Sequence, residues 1–285
     1  MEKLFPRTDV AGVSLSRMIM GTNWMLGYSH TSPSADAQIR GAFAKPEDFF
    51  PMFEAFMEHG VDTLMGPIAT NPLIANAIDY ARQKLGKDII IVDTPILNVS
   101  DSDEARREAE SVVKECARIG AKFCLIHHSS AEQLVNKNLG ILNRIDDYTK
   151  MIRDAGMIPG LSAHMPELIT YSDNNEYDIE TYIQIYNCMG FLMQVEVETI
   201  AGIINSAKKP VMTIKSMAAG RCTPYVGLNF AWNTLRDCDM VTVGCFTPAE
   251  VHEDVEISMA ALERRFPNLE RRASPNNNQA AFGNK

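Results

Sequence analysis

The chain has little of what would mark it as secreted, membrane-bound or nucleic-acid-binding. Its 285 residues hold six cysteines, and no two form a Cys-x-x-Cys pair. Most of these cysteines sit inside apolar runs, which predicts reduced thiols in a cytoplasmic protein and excludes a disulfide framework. Positive charge is in deficit, with 27 Lys and Arg against 36 Asp and Glu for a net charge of -9. Such a chain has no overall attraction to phosphate backbones or anionic lipid, so nucleic-acid and membrane partners are disfavoured. No apolar run approaches the ~20 residues of a membrane-spanning helix. The opening "MEKLFPRTDV" also lacks the apolar core of a signal peptide. There is no local metal motif such as HExxH.

What is present is an alternation of short apolar runs with longer amphipathic ones. The pattern predicts eight strands, at 17–22, 62–66, 88–94, 122–128, 157–164, 191–198, 210–217 and 240–245. Helices are expected at 46–59, 71–85, 101–119, 132–155, 176–189, 198–207, 226–236 and 248–264. Strands that are apolar on both faces belong in a parallel sheet covered by helices. Eight such units in this length predict a single α/β domain over residues 1–264, a (β/α)8 TIM barrel. "LFPRTDVAGVSLS" reads as an N-terminal hairpin plugging the bottom of the barrel. Residues 23–45 form a long loop after strand one, read as a lid carrying Trp24, Tyr28 and His30. The polar tail, 265–285, is expected to be disordered.

Chemistry in such barrels gathers at the C-terminal ends of the strands. The polar residues expected there include Asp93, His127, His128, Ser162, His164, Gln194, Glu196, Glu198 and Lys215. Unpaired polar groups are costly to bury, so several together point to a shared site. In "FLMQVEVE" the alternation sets Gln194, Glu196 and Glu198 on one face, read as facing the barrel axis. In a regular strand His127 and His128 point opposite ways, so at most one enters the mouth unless the strand has already ended.

Histidine and carboxylate together have the ligand types of a divalent ion such as Zn, Mn or Fe. His128, His164 and Glu198 are taken as the metal set, with His127, Glu196 and Lys215 as catalytic groups. Gly220 and Arg221, in the loop after strand seven, are candidates for holding a phosphate. Plainer roles stand beside these. One of the adjacent histidines serves packing, Glu198 favours a helix N-terminus, Lys215 pairs with Glu196 or Glu198, and Ala218 to Gly220 form a tight turn.

"VSLSRMIMGTNW", "EHGVDTLMGP", "FCLIHHSS", "GLSAH", "QVEVE" and "KPVMTIKSMAAGR…VTVGCFTPAEVHEDVE" occur in an order that resembles the aldo/keto reductase superfamily over most of the chain. The resemblance implies a barrel and puts the family's catalytic histidine on His127. Its aspartate falls near Met65 and its lysine near Thr94 or Pro95, and "GPIATNP" holds no tyrosine. Three of the four catalytic roles are therefore absent. The resemblance also implies that Ser162 and Gln194 hold a nicotinamide amide. It supplies no basic clamp for a 2′-phosphate, because Glu250 and Glu253 stand there.

Three functions are consistent with these residues. The leading expectation is a metal-assisted isomerase, epimerase, lyase or hydrolase acting on a small sugar-like or carbonyl substrate. The alternatives are an NAD(P)-dependent oxidoreductase with a rearranged catalytic group, the cofactor being disfavoured, and a non-catalytic ligand-binding barrel.

Overall fold

A computed structural model describes residues 3–269. Residues 270–285, most of the expected tail, lie outside the described residues. Strands β1 (Arg7–Val10) and β2 (Val13–Ser16) form an antiparallel hairpin. The barrel strands are β3 (Met18–Gly21), β4 (Thr63–Gly66), β5 (Ile90–Asp93), β6 (Phe123–Ile126), β9 (Ile158–Ala163), β10 (Tyr182–Ile185), β11 (Val211–Ile214) and β12 (Met240–Val243). All pair in parallel, and β12 closes on β3. A second hairpin, β7 (Val135–Asn136) with β8 (Ile141–Leu142), lies between β6 and β9.

The helices are α1 (Asn23–Leu26), α2 (Pro33–Ala42), α3 (Phe50–Glu58), α4 (Pro72–Leu85), α5 (Asp103–Arg118), α6 (His128–Ala131), α7 (Ile145–Asp154), α8 (Glu167–Asn175), α9 (Val197–Ser206), α10 (Pro224–Thr234) and α11 (Pro248–Leu262). Local chemistry sets their ends. Asn71 accepts from Leu73 N at the start of α4, and Gly86 closes that helix in the left-handed region at φ 62. At α11, Thr247 and Glu250 form a reciprocal capping box around Pro248.

Alternation along the strands divides the core into two layers. Ile19, Val92, Phe123, Leu125, Ile158, Ile183, Met212 and Met240 fill the barrel, and Val10 and Leu15 of the hairpin pack onto them. The hairpin thus plugs the barrel as expected. Residues of opposite parity, such as Met20, Leu64, Ile91 and Val241, pack against the helices.

Three expectations change. The sixth barrel strand is β10, inside the stretch expected to be helical at 176–189. The stretch expected as that strand, 191–198, is a connecting segment leading into α9, with Leu192 in the left-handed region at φ 56. Its alternation is real, but Phe191, Met193, Val195 and Val197 face the protein, while Gln194, Glu196 and Glu198, with Leu192, face solvent. The expected long helix at 132–155 is broken by the β7–β8 hairpin, whose turn contains Gly140 at φ 65. The insertion at 23–45 contains α1 and α2 instead of an irregular loop.

At the end of the barrel opposite the mouth, one buried carboxylate ties the strands together. Asp239 accepts from Val211 N at 2.9 Å and from Arg236 Nη2 at 2.7 Å through one oxygen. Its other oxygen accepts from Arg236 N and Nε at 3.0 and 2.9 Å. Arg17 donates to the carbonyls of Asp239 and Arg236, which adds β3 to the network. Removing one partner of a buried pair leaves a buried charge uncompensated. We expect Asp239→Ala to lower unfolding free energy by about 3 kcal/mol or more, read from urea denaturation. A loss indistinguishable from that of an exposed substitution would show that the network is dispensable.

Candidate active site

The strand ends open into one cavity of about 1000 Å³. It runs from the histidines after β6 to the start of α11. Small residues make room for it. A side chain at Gly66 would collide with Thr22 Oγ1, and one at Gly244 would come within 2.8 Å of the Trp24 ring.

The histidines follow from where β6 stops. The strand ends at Ile126, His127 is the N-cap of α6, and His128 begins the helix. Strand alternation therefore no longer separates them, and both line the cavity with His164. Ser130 Oγ holds α6 in place by donating to Leu97 O at 2.8 Å and accepting from Leu97 N at 2.9 Å. His127 Nδ1 accepts from Ser129 N at 3.3 Å, which leaves the ring hydrogen on Nε2. The His128 ring lies 4.2 Å from that of His127 and stacks on His164 at 3.7 Å, within 18° of parallel.

Burial drives the three rings toward neutrality. Desolvation, then His128 and Lys215, push His127 down to about 4. Desolvation, then His128 and Lys215, with smaller effects from His127 and His30, push His164 down to about 3. His128 is also lowered, mainly by burial, with Glu132 opposing.

Glu132 was not singled out from the sequence. Its Oε1 accepts from His164 N at 2.7 Å and Met165 N at 2.9 Å, pinning the end of β9 to α6. His128, Glu132 and His164 bring ligand atoms within 4.8 Å of one another. Each residue type suits a divalent ion, and neutral imidazoles offer no competing proton. The stacked rings count against this set, because an ion cannot lie in both planes of two nearly parallel rings. One ring has to rotate before both ligate.

Lys215 ends β11 in the left-handed region at φ 62, followed by Ala218, Ala219 and Gly220 at φ 50, 54 and 79. Backbone held in such a region by a non-glycine residue is strained, and such strain clusters at functional sites. Its Nζ meets His30 Nε2 of the lid at 3.2 Å. Burial lowers its pKa. Arg221 stacks on the Phe191 ring at 3.9 Å and donates to Ala218 O and His30 O. The lid is thus closed over the mouth by contacts to two cations, with Trp24, Tyr28 and His30 all lining the cavity.

The opposite end has different chemistry. Glu250, Glu253 and Asp254 of α11 line it. Glu250 accepts from Phe246 N and Thr247 N, so the helix start is closed by its own side chain. Burial raises Asp254 to about 7, and its Oδ2 accepts from the Cys245 thiol at 3.4 Å. Thr22 Oγ1, Ser216 Oγ, Thr242 Oγ1 and Asp254 Oδ1 are buried without a hydrogen-bond partner among the described residues. All four residues line the cavity, on the side of β3, β11, β12 and α11.

The expected site residues therefore divide. His127, His128, His164, Ser162, Lys215, Gly220, Arg221, Trp24, Tyr28 and His30 line one cavity. Gln194, Glu196 and Glu198 are exposed and outside it, because their segment is not a barrel strand. Glu198 stands in the first turn of α9, and Lys215 forms no ion pair with it or with Glu196. The sixth strand does contain a glutamine, Gln184, but Ile183 beside it faces the barrel, so Gln184 points to the helices. Met65, Thr70 and Thr94 line the cavity where the aspartate, tyrosine and lysine of the reductase pattern would act. Asp93 is buried, accepts from Ala69 N at 2.7 Å, and is raised to about 6 by desolvation.

No family model matches the chain, and no curated protein matches it. Solved structures do. A protein of Pseudomonas aeruginosa assigned as an aldo-keto reductase is 14% identical, with TM-score 0.63, covering 90% of this chain and 94% of that one. A glycerol dehydrogenase of Gluconobacter oxydans is 12% identical, with TM-score 0.57 and coverage of 94% and 98%. A truncated 3-deoxy-D-arabino-heptulosonate 7-phosphate synthase of Thermotoga maritima is 12% identical, with TM-score 0.52 and coverage of 90% and 93%. These likenesses establish a TIM barrel shared with aldo-keto reductases and other barrel enzymes. Among the described residues, no helix is long and apolar enough to cross a membrane.

The buried imidazoles give a pH signature. In the unfolded chain each takes a proton near the ordinary 6.5, while in the fold His127 waits until about 4 and His164 until about 3. The unfolded state binds more protons across that window, so stability falls as pH drops below about 6.5. Asp93, raised from 3.8 to about 6, acts in the opposite sense over part of the range. We expect replacement of both His127 and His164 by Gln to flatten the loss of stability between pH 7 and pH 4.5, measured by urea midpoints. An unchanged slope would refute neutral burial of these rings.

Proposed function

We propose that the chain is a nicotinamide-dependent oxidoreductase with a rearranged catalytic group, acting on the carbonyl or hydroxyl of a small substrate. The single observation that carries this reading is the two-ended cavity. About 1000 Å³ is at the upper end of the size range of ligand sites and far more than a small substrate fills. Its basic end suits a substrate oxygen. Its other end holds the Thr22, Ser216 and Thr242 hydroxyls and one Asp254 carboxyl oxygen without partners among the described residues, which suit the ribose and amide groups of a larger companion. The fold shared with reductases raises the prior as an analogy.

Ser162, Ser216, Thr242 and Asp254 would hold the cofactor, which supplies the hydride when bound. His127 presents Nε2–H to the substrate oxygen, and a neutral imidazole can polarise a carbonyl in this way. Lys215 gives the basic end its positive charge. Trp24 and Tyr28 exclude water from above. The acidic lining at α11 disfavours a 2′-phosphate, and the Glu250 side chain already takes up the Phe246 and Thr247 amides that lead into that helix.

A second reading is favoured by the His128, Glu132 and His164 cluster. With a ring rotated, the three would hold a divalent ion, which would polarise a substrate carbonyl for isomerase, epimerase, lyase or hydrolase chemistry. Here Glu132 takes the role first expected of Glu198.

Titration of the purified chain with NADH and NADPH, followed by cofactor fluorescence, tests the first reading. We expect NADH to bind at least about tenfold more tightly than NADPH, since the acidic end of the cavity disfavours a further phosphate. We also expect His127→Gln to lower kcat/KM for carbonyl reduction by about 100-fold or more. Absence of binding by both cofactors, with one equivalent of Zn retained by the wild type and lost in His164→Ala, would hand the site to the second reading.

A further inference from the structure

We infer that the substrate of this cavity carries a carboxylate, and that Lys215 is the residue that selects it. The inference deepens the reading of the cavity as an active site by naming the substrate class. It does not depend on which cofactor is used.

The charges of the basic end lead there. The chain as a whole is strongly acidic, with net charge -9. Yet no carboxylate lies within ion-pair reach of Lys215 among the described residues. The acid beside His128 and His164, Glu132, has one oxygen committed to two backbone N–H groups.

Donor capacity gives the geometry. A lysine head group has three N–H donors. Lys215 has one hydrogen-bond partner among the described residues, the uncharged Nε2 of His30. Two donors are left for a ligand, the number a carboxylate's two oxygens require. Arg221 is less available, because its guanidinium lies on Phe191 and donates to two backbone carbonyls. His127 Nε2–H remains for the neighbouring carbonyl oxygen. The acidic residues Glu250, Glu253 and Asp254 line the other end of the same cavity, so a carboxylate is drawn to the Lys215 end.

A 2-oxo acid, or the matching 2-hydroxy acid, satisfies both ends of this arrangement. The carboxylate meets Lys215, and the adjacent oxygen meets His127. The left-handed backbone at Lys215 fits the same purpose, since strain at a single residue is retained where a side chain must be aimed.

Equilibrium binding without cofactor or turnover tests this. Pyruvate and hydroxyacetone differ mainly in carboxylate against hydroxymethyl, and oxalate serves as a tighter-binding probe. Calorimetry on the full chain should show pyruvate binding at least about tenfold more tightly than hydroxyacetone. Lys215→Met should remove that preference by weakening pyruvate far more than hydroxyacetone, and Lys215→Arg should restore part of it. The wild-type comparison stands even if a variant fails to fold. Equal affinity for the two probes, no binding of pyruvate or oxalate, or an unchanged preference in a folded Lys215→Met protein would each overturn the inference. Carboxylate preference without NADH binding would keep the inference and discard the oxidoreductase reading. NADH binding without carboxylate preference would do the reverse.

Discussion

A half-buried cation without a counter-charge among the described residues is the constraint around which the mouth of this barrel is arranged. Burying an ammonium group is expensive unless something answers its charge or its hydrogen bonds. Lys215 is answered by a single neutral imidazole from the lid. The neighbouring histidines, desolvated and close to it, are held neutral in consequence. Their neutrality fixes what the site offers, which is N–H donors and lone pairs, with Lys215 and Arg221 as the positive charges among them. Such a site is electrostatically prepared for an oxygen-rich anion before one arrives.

The acids are sorted as strictly as the cations. Glu250 is taken up by the start of its own helix, while Asp254 stays buried and raised toward neutrality. The cavity is therefore polarised along its length, positive near β6 and β11 and acidic near α11. A ligand with charge at one end can lie in it only one way.

Much of the fold was legible because its barrel strands are short apolar runs bounded by turn and cap residues. Seven of the eight strands lie where periodicity puts them. The sixth does not. "YIQI" is four residues long and follows a polar segment, while "FLMQVEVE" shows the period of two that a half-buried extended segment also produces. That single displacement took Gln194, Glu196 and Glu198 out of the site. Glu132 went unseen for a related reason. His128 and Glu132 are four residues apart, the spacing of one helical face, but the histidines were counted as strand. The convergence of His127, His128, His164 and Lys215 was legible, because strand ends of a barrel meet at one rim.

The contact between the lid and Lys215 has a consequence for how any affinity here is to be understood. His30 is a tethered competitor. It occupies a donor of the amine that an incoming oxygen would use, and its carbonyl accepts from Arg221. A tethered group acts at a high effective concentration. A ligand that calls on the third donor as well has to displace it, and for such a ligand the observed dissociation constant is the intrinsic one divided by the fraction of molecules in which that donor is vacant. Tight closure and tight capture therefore oppose each other at this rim, and the length of chain between α1 and α2 sets the balance between them.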